Sequence, residues 1–285
     1  MLLLFATGLF AGTIDAIAGG GGLISLPMLL STGIPPQIAF GTNKLQSIVG
    51  TFTAVKRYHQ QGLISREKIL TGILFGLFGS ASGSIAAQLI SNQVLHKIIP
   101  LLLLVVFLYT VSSPKLGVED KHPRMKEIWF YMIFGFALAF YDGFFGPGVG
   151  SLWVFFLTYF LGFNLIKATA YTKVFNLNSS TVAMICFVIG GNVDYHIAAC
   201  MAVGQFIGGR LGASLAIKQG VKLIRPIFLT VVMYAISVLI YRSYANSDAL
   251  LQVMLQYGIA PQIVIGISIL TSVLFIYRRR RSQLK

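Results

Sequence analysis

Charge is what this chain has least of. Of its 285 residues 11% are charged and eight are acidic, whereas soluble domains carry about 25% charged residues. The stretches 69–95, 174–193 and 249–277 contain no charged residue. So few charges cannot clothe a chain of this length in polar surface, which excludes a secreted domain, a nucleic-acid binder and a cytosolic enzyme. Cysteine is nearly absent. Cys186 and Cys200 lie in apolar stretches with no metal spacing, and read as packing residues. His59, His96, His122 and His196 are scattered among connecting segments and form no ligand cluster, so no metal or cofactor is expected. The apolar run from Leu2 lacks a basic n-region and a cleavage site, and is expected to be retained rather than removed as a signal peptide.

What the chain has in plenty is apolar surface: 56% of residues are hydrophobic and the mean hydropathy is +0.80. A spanning helix needs roughly 20 predominantly apolar residues, so the sequence predicts an all-α, multi-pass membrane protein. The net charge of +14 does not contradict this, because the basic residues sit between apolar segments rather than in one patch. Arg278, Arg279, Arg280 and Arg281 directly follow an apolar stretch, as a cytoplasmic anchor drawn to anionic lipid does. Trp129 and Tyr241, near segment ends, read as interface anchors.

The chain also repeats itself. Shifted by 129 residues, Gly33 meets Gly162, Ala39 meets Ala168, Lys44 meets Lys173, Gly62 meets Gly191, Gly79 meets Gly208, Gly83 meets Gly212 and Ala87 meets Ala216. Upstream, a shift of 127 pairs Asp15 with Asp142, each followed by a glycine-rich run, Gly19–Gly22 or Gly146–Gly150. Glycines coincide easily by chance; both acids and both lysines do not. The expected organisation is a first transmembrane repeat at 1–113, a cytoplasmic linker at 114–127, a second repeat at 128–242, a final helix at 250–277 and a basic tail at 278–285.

Each repeat divides into five apolar stretches, roughly 2–18, 23–33, 38–55, 69–90 and 97–113, then 128–145, 151–161, 168–190, 194–217 and 224–241. The first two of each set are short and meet at the glycine run, either as two short crossings or as a re-entrant hairpin. An odd number of stretches inverts the second repeat relative to the first. With the C-terminus inside, only Lys97 and Arg242 of the 22 basic residues lie outside, Lys44, Lys173 and Arg210 lie within the membrane, and the rest are cytoplasmic. Parallel repeats would instead put the basic loops 56–68 and 115–126 outside.

Inverted repeats with broken helices are a transporter pattern. Consecutive glycines in a membrane helix expose backbone that lipid cannot satisfy, which is tolerated where it lines a cavity. Gly20, Gly21 and Gly22, with Gly148 and Gly150, could offer N–H groups and a positive helix end to an anion; the alternative is a tight crossing of small residues. Gly79/Gly83 and Gly208/Gly212 read as packing faces. Lys44 and Lys173 need a partner or a watery site. Ser47 and Thr51 share the face of Lys44, and Asn176 and Ser180 that of Lys173, while Asn43 and Thr172 precede the lysines and Gln46 adds an amide. In the inverted topology the two lysines approach one cavity from opposite sides. They either bind a small anion or pair with Asp15 and Asp142 to hold the repeats together. Those acids either couple transport to protons or act as caps and ion-pair partners. Arg210 reads as snorkelling to the cytoplasmic surface.

These residues resemble those of the TauE/SafE family of sulfite exporters. The likeness lies in Asp15-Ala-Ile-Ala-Gly-Gly-Gly-Gly, Leu26-Pro27 and Ala39-Phe-Gly-Thr-Asn43-Lys44, and again in Tyr141-Asp142-Gly-Phe-Phe-Gly-Pro147-Gly and Lys167-Ala-Thr-Ala-Tyr-Thr-Lys173. The resemblance implies a permease of the plasma (inner) membrane that moves sulfite or a small organosulfur anion, usually outward. The residues themselves reach an anion transporter with no catalytic residue, in contact with membrane lipid, with protons as a candidate coupling ion and a homo-oligomer left open. A passive anion channel would share the lysines. An intramembrane aspartyl protease would need two facing carboxylates, but here the glycines follow each Asp and lysines stand ready to pair with the acids. Orientation is checked by cysteine labelling with an impermeant reagent. Glu119→Cys is expected to react only after the membrane is opened and His96→Cys in intact cells; the reverse pattern overturns the inverted topology.

Overall fold

The computed structural model describes residues 1–65, 69–112 and 120–219. The stretches 224–241 and 250–277, the tail 278–285, residues 114–119 of the linker, and Tyr241 and Arg242 lie outside the described residues. Among the described residues all regular structure is helical: α1 (Leu2–Ala18), α2 (Gly22–Ser31), α3 (Pro36–Gln60), α4 (Leu70–Leu89), α5 (Asn92–Ser112), α6 (Glu127–Phe130), α7 (Phe136–Phe144), α8 (Val149–Leu161), α9 (Leu165–Ile189) and α10 (Tyr195–Gln219). A π-helical turn, Tyr131–Gly135, joins α6 to α7.

Among the described residues three helices, Leu70–Leu89, Leu165–Ile189 and Tyr195–Lys218, are long and apolar enough to cross a membrane. The burial pattern of α4 shows what solvent it is built for. Its inward face is Gly72, Gly76, Gly79, Ser80, Gly83, Ser84 and Ala87, while Leu70, Leu74, Phe78, Ile85 and Leu89 are exposed. Small residues inside and large apolar ones outside are the arrangement expected where the surroundings are lipid and helices associate through close backbone contact.

The glycine runs end helices rather than bend them. Gly19 is left-handed (φ 72°) and closes α1. The chain then doubles back: a Cβ placed on Gly21 would lie 2.6 Å from the Ala11 carbonyl oxygen and from Cβ of Asp15. The ten residues of α2 span about 15 Å, half the hydrocarbon thickness. In the second half α7 ends at Phe144, Gly146 and Gly148 have positive φ, and α8 follows with 13 residues.

The halves interlock. α1 lies along α10, and α7 lies along α4. A Cβ on Gly79 would strike the Phe136 carbonyl and one on Gly83 that of Phe140; Gly208 and Gly212 stand in the same relation to Leu9 and Thr13. Both contacts run in parallel register, residue numbers rising together. α3 and α9 run antiparallel, with Gly41 against Phe187 and Tyr58 clustered with Ala170 and Val174. Helices matched by the 129-residue shift thus point in opposite directions.

At the end of α8 a short strap is tied down outside the helices. The Lys121 N–H donates to the Gly162 carbonyl and that of Arg124 to the Phe160 carbonyl, each at 2.7 Å. The Asn164 N–H donates to Asp120 Oδ1 at 2.7 Å, and this bond, helped by the Lys167 ammonium, holds the Asp120 carboxyl below the usual carboxylate range. Arg210 is exposed on the outer face of α10.

Because the seams are backbone against backbone, Gly83→Val is expected to lower stability by about 1–3 kcal/mol through overpacking. Ser82→Val, one residue away on the exposed face, should stay near wild type. Thermal unfolding in detergent compares the two; equal melting would contradict the close seam.

Candidate functional site

The two glycine breaks meet. A Cβ on Gly150 would fall within 2.5 Å of Gly19 Cα, and one on Gly22 would lie 3.0 Å from Pro147 Cα. The ends of α1 and α7 and the starts of α2 and α8 therefore converge, and α3 and α9 pass beside them carrying the lysines. The pairing crosses between halves. Lys44 Nζ of α3 lies 2.5 Å from Asp142 Oδ1 of α7 and also donates to the Asp142 main-chain carbonyl. Lys173 Nζ of α9 lies 2.8 Å from Asp15 Oδ2 of α1. Each acid is thus bonded to the lysine of the other repeat.

A cavity opens at this junction, with about 40 Å³ of room for the centres of water molecules. About one water needs 10–15 Å³ on that measure, so the space suits a few waters or one small oxyanion. Asn43, Lys44, Ser47, Asn176, Gly21, Gly22, Gly148, Asp15 and Asp142 all reach its wall. Lys173, Thr172, Gly20 and Gly150 do not line it. Lys173 is wholly buried behind Asp15, while the side chain of Asp15 keeps 19% of its surface exposed. Thr172 is buried with its hydroxyl unpartnered among the described residues. Gly150 lies against Gly19 instead.

Sequence reasoning missed part of the wall. Ser25 of α2 donates to Asn43 Oδ1 at 2.6 Å and Gln46 Nε2 donates to the same oxygen at 2.8 Å. With its oxygen so engaged, Asn43 is left to turn its amide N–H groups to the cavity. Gln205 of α10 also reaches the wall, packed over Gly12 and Gly50. Behind the wall, Ser179 of α9 donates to Asp142 Oδ2. An uncharged polar residue in a helix carries little signal by itself, and these three have no equivalent in the other repeat to mark them out. Among the described residues no cluster of His, Cys, Asp and Glu could hold a metal.

Backbone conformation matters most at Gly146, whose φ of 95° favours glycine. A Cβ there would lie 2.7 Å from Lys44 Nζ and 3.0 Å from Asp142 Oδ1, inside the ion pair itself.

The sequence model of a family described as sulfite exporter TauE/SafE matches residues 4–239. The chain belongs to the TauE/SafE family. Its relatives include the probable membrane transporter protein YfcA of Escherichia coli K12, 39% identical over 86% of this chain and 91% of the relative. A probable membrane transporter protein of Haemophilus influenzae is 40% identical over 79% of this chain and 89% of the relative. The probable membrane transporter protein YunE of Bacillus subtilis is 26% identical over 84% and 97%. No solved structure matches. As a TauE/SafE protein the chain is a membrane transporter and not an enzyme.

Two glycines separate backbone strain from damage to the ion pair. Gly191→Ala meets positive φ with nothing within 4 Å, whereas Gly146→Ala meets positive φ and the Lys44–Asp142 pair. Left-handed backbone costs an L-residue about 1–2 kcal/mol. Gly146→Ala is expected to lose clearly more than that in detergent unfolding, and Gly191→Ala no more.

Proposed function

We propose that this TauE/SafE transporter is a secondary carrier of a small oxyanion, sulfite or an organosulfur anion, moved outward across the plasma (inner) membrane. Its two inverted repeats would present one central site alternately to either side, with the C-terminus in the cytoplasm and protons as the coupling ion. The observation that carries this reading is the cavity where both glycine breaks converge on Lys44. An ammonium, the amide of Asn43, the hydroxyl of Ser47 and the starts of α2 and α8 are concentrated around a space of oxyanion size. Helix starts carry partial positive charge and N–H groups, and an arriving anion would draw the Lys44 ammonium from Asp142 and the Ser47 hydroxyl from the Lys44 carbonyl. Helix directions support inversion, since α3 and α9 run antiparallel. The relatives' names add membrane transport, and the family's description adds sulfite.

Lys173 takes a different part here from Lys44. Sealed behind Asp15, it holds the repeats together while Lys44 meets the anion. Ser180 and Asn176 supply the polar wall on the α9 side.

The test is flux of labelled sulfite in proteoliposomes, with and without a pH gradient. Wild type should show saturable, gradient-driven flux, and Lys44→Met should lose at least about tenfold, equivalent to about 1.4 kcal/mol. Undiminished flux in Lys44→Met removes that lysine from the site. Flux indifferent to collapse of the gradient replaces the coupled carrier with a passive channel. Absence of sulfite flux in wild type redirects the substrate to sulfonates and carboxylates.

A further inference from the structure

We infer that the two buried acids have different tasks. Asp142 takes up a proton when an anion binds, with Ser179 as the hydroxyl that accommodates it, while Asp15 remains ionised as the fixed partner of Lys173. This deepens the carrier reading above and rests on it for the role of the anion.

The first step is charge. Lys44, Asp142, Asp15 and Lys173 together sum to zero around a cavity set among apolar helices. Adding a monoanion leaves one uncompensated negative charge in a poorly solvated site, which is costly. One proton restores neutrality.

The second step is which carboxylate can hold that proton. A protonated carboxyl becomes a hydrogen-bond donor and needs an acceptor. Among the described residues the Asp15 oxygens have only donors as protein partners, the Gly21 N–H at 3.4 Å and the Lys173 ammonium at 2.8 Å, the rest of the carboxylate opening on the cavity. Neutralising Asp15 would also strand a wholly buried lysine. Asp142 is placed differently. Its Oδ2 meets the Ser179 hydroxyl, and Ser179 Oγ also lies 3.0 Å from the Phe175 carbonyl and 3.3 Å from that of Asn176. The hydroxyl can re-aim its own hydrogen at either carbonyl and offer a lone pair to a new O–H on Oδ2. The 129-residue shift places Gly50 where Ser179 stands, so Asp15 lacks this device.

The third step is what happens to Lys44. It keeps its bond to the Asp142 main-chain carbonyl and turns a released N–H to the anion in the cavity. The proton comes from water on the open side, Ser179 gives up none, and release of anion and proton restores the pair. Among the described residues no other titratable group stands between them. α4 carries none from Leu70 to Leu89. The Tyr141 hydroxyl is engaged with the Pro147 carbonyl at 2.8 Å. Asp15 faces the same cavity from α1, with Lys173 of α9 behind it.

Infrared difference spectra of the purified protein in lipid bilayers, acid minus neutral, read protonated carboxyl groups without any substrate. Wild type should show a carboxyl band that Asp142→Asn removes and Asp15→Asn keeps. Ser179→Ala should move that band to higher frequency by removing its acceptor, and Ser179→Thr should restore it. Sulfite should bring the band on at higher pH. Loss of the band in Asp15→Asn but not Asp142→Asn, no band that Asp142→Asn removes, or an unchanged band in Ser179→Ala would each overturn the assignment. If Asp142→Asn does not fold, the two Ser179 variants decide it. The assignment of the acid survives a failure of sulfite to move the band or to be transported, so the two readings can fail separately.

Discussion

Two ion pairs, crossed between the halves of the chain, are the constraint around which the rest is arranged. A lysine inside a membrane needs a partner, and removing one member of a buried pair typically costs about 3–5 kcal/mol. Here each lysine finds its acid on the other half, Lys44 on Asp142 and Lys173 on Asp15. Neither half can satisfy its charges alone. The crossing also explains the glycines. For α7 to bring Asp142 to Lys44, the backbone beyond it must leave the helix at once, and Gly146 has no side chain to block the ammonium. For both acids to reach across, the two turns must touch, which Gly19 and Gly150 allow.

The pairs are alike in composition and unlike in surroundings. Lys44 opens onto the cavity; Lys173 does not. Where the first half has Gln46, the second has Phe175, stacked on Trp153 with ring centroids 4.6 Å apart. Amides and hydroxyls line the cavity beside Lys44, while Lys173 is wholly buried against Asp15. A near-symmetric scaffold therefore holds an asymmetric site.

Much of this was legible in the sequence because charge in an apolar run is conspicuous. Lys44, Lys173, Asp15 and Asp142 announced themselves, and the shifts of 129 residues for the lysines and 127 for the acids tied them into pairs of equivalents. Helix positions followed hydropathy closely, as with the predicted 168–190 against α9 at Leu165–Ile189. Ion pairing stood only as an alternative to anion binding, because which acid meets which lysine depends on how the halves interdigitate. That Lys173 would be sealed depended on how Asp15 of the other half comes to lie against it. Ser25, Ser179 and Gln205 were silent because single hydroxyls and amides are common in helices and gain meaning only from a neighbour distant in sequence. The π-turn at Tyr131–Gly135 had no sequence mark that distinguished it from regular helix.

The glycine seams bear on how the molecule can move. Where helices meet through interdigitated side chains, displacing one past another requires each knob to be lifted from its hole, and the motion proceeds in steps. Along α1 with α10 and α4 with α7, glycine presses against carbonyl with no side chain between. Such a surface works as a plain bearing. It resists separation through sheer closeness yet offers no side chain to catch a small axial slip of one helix along the other.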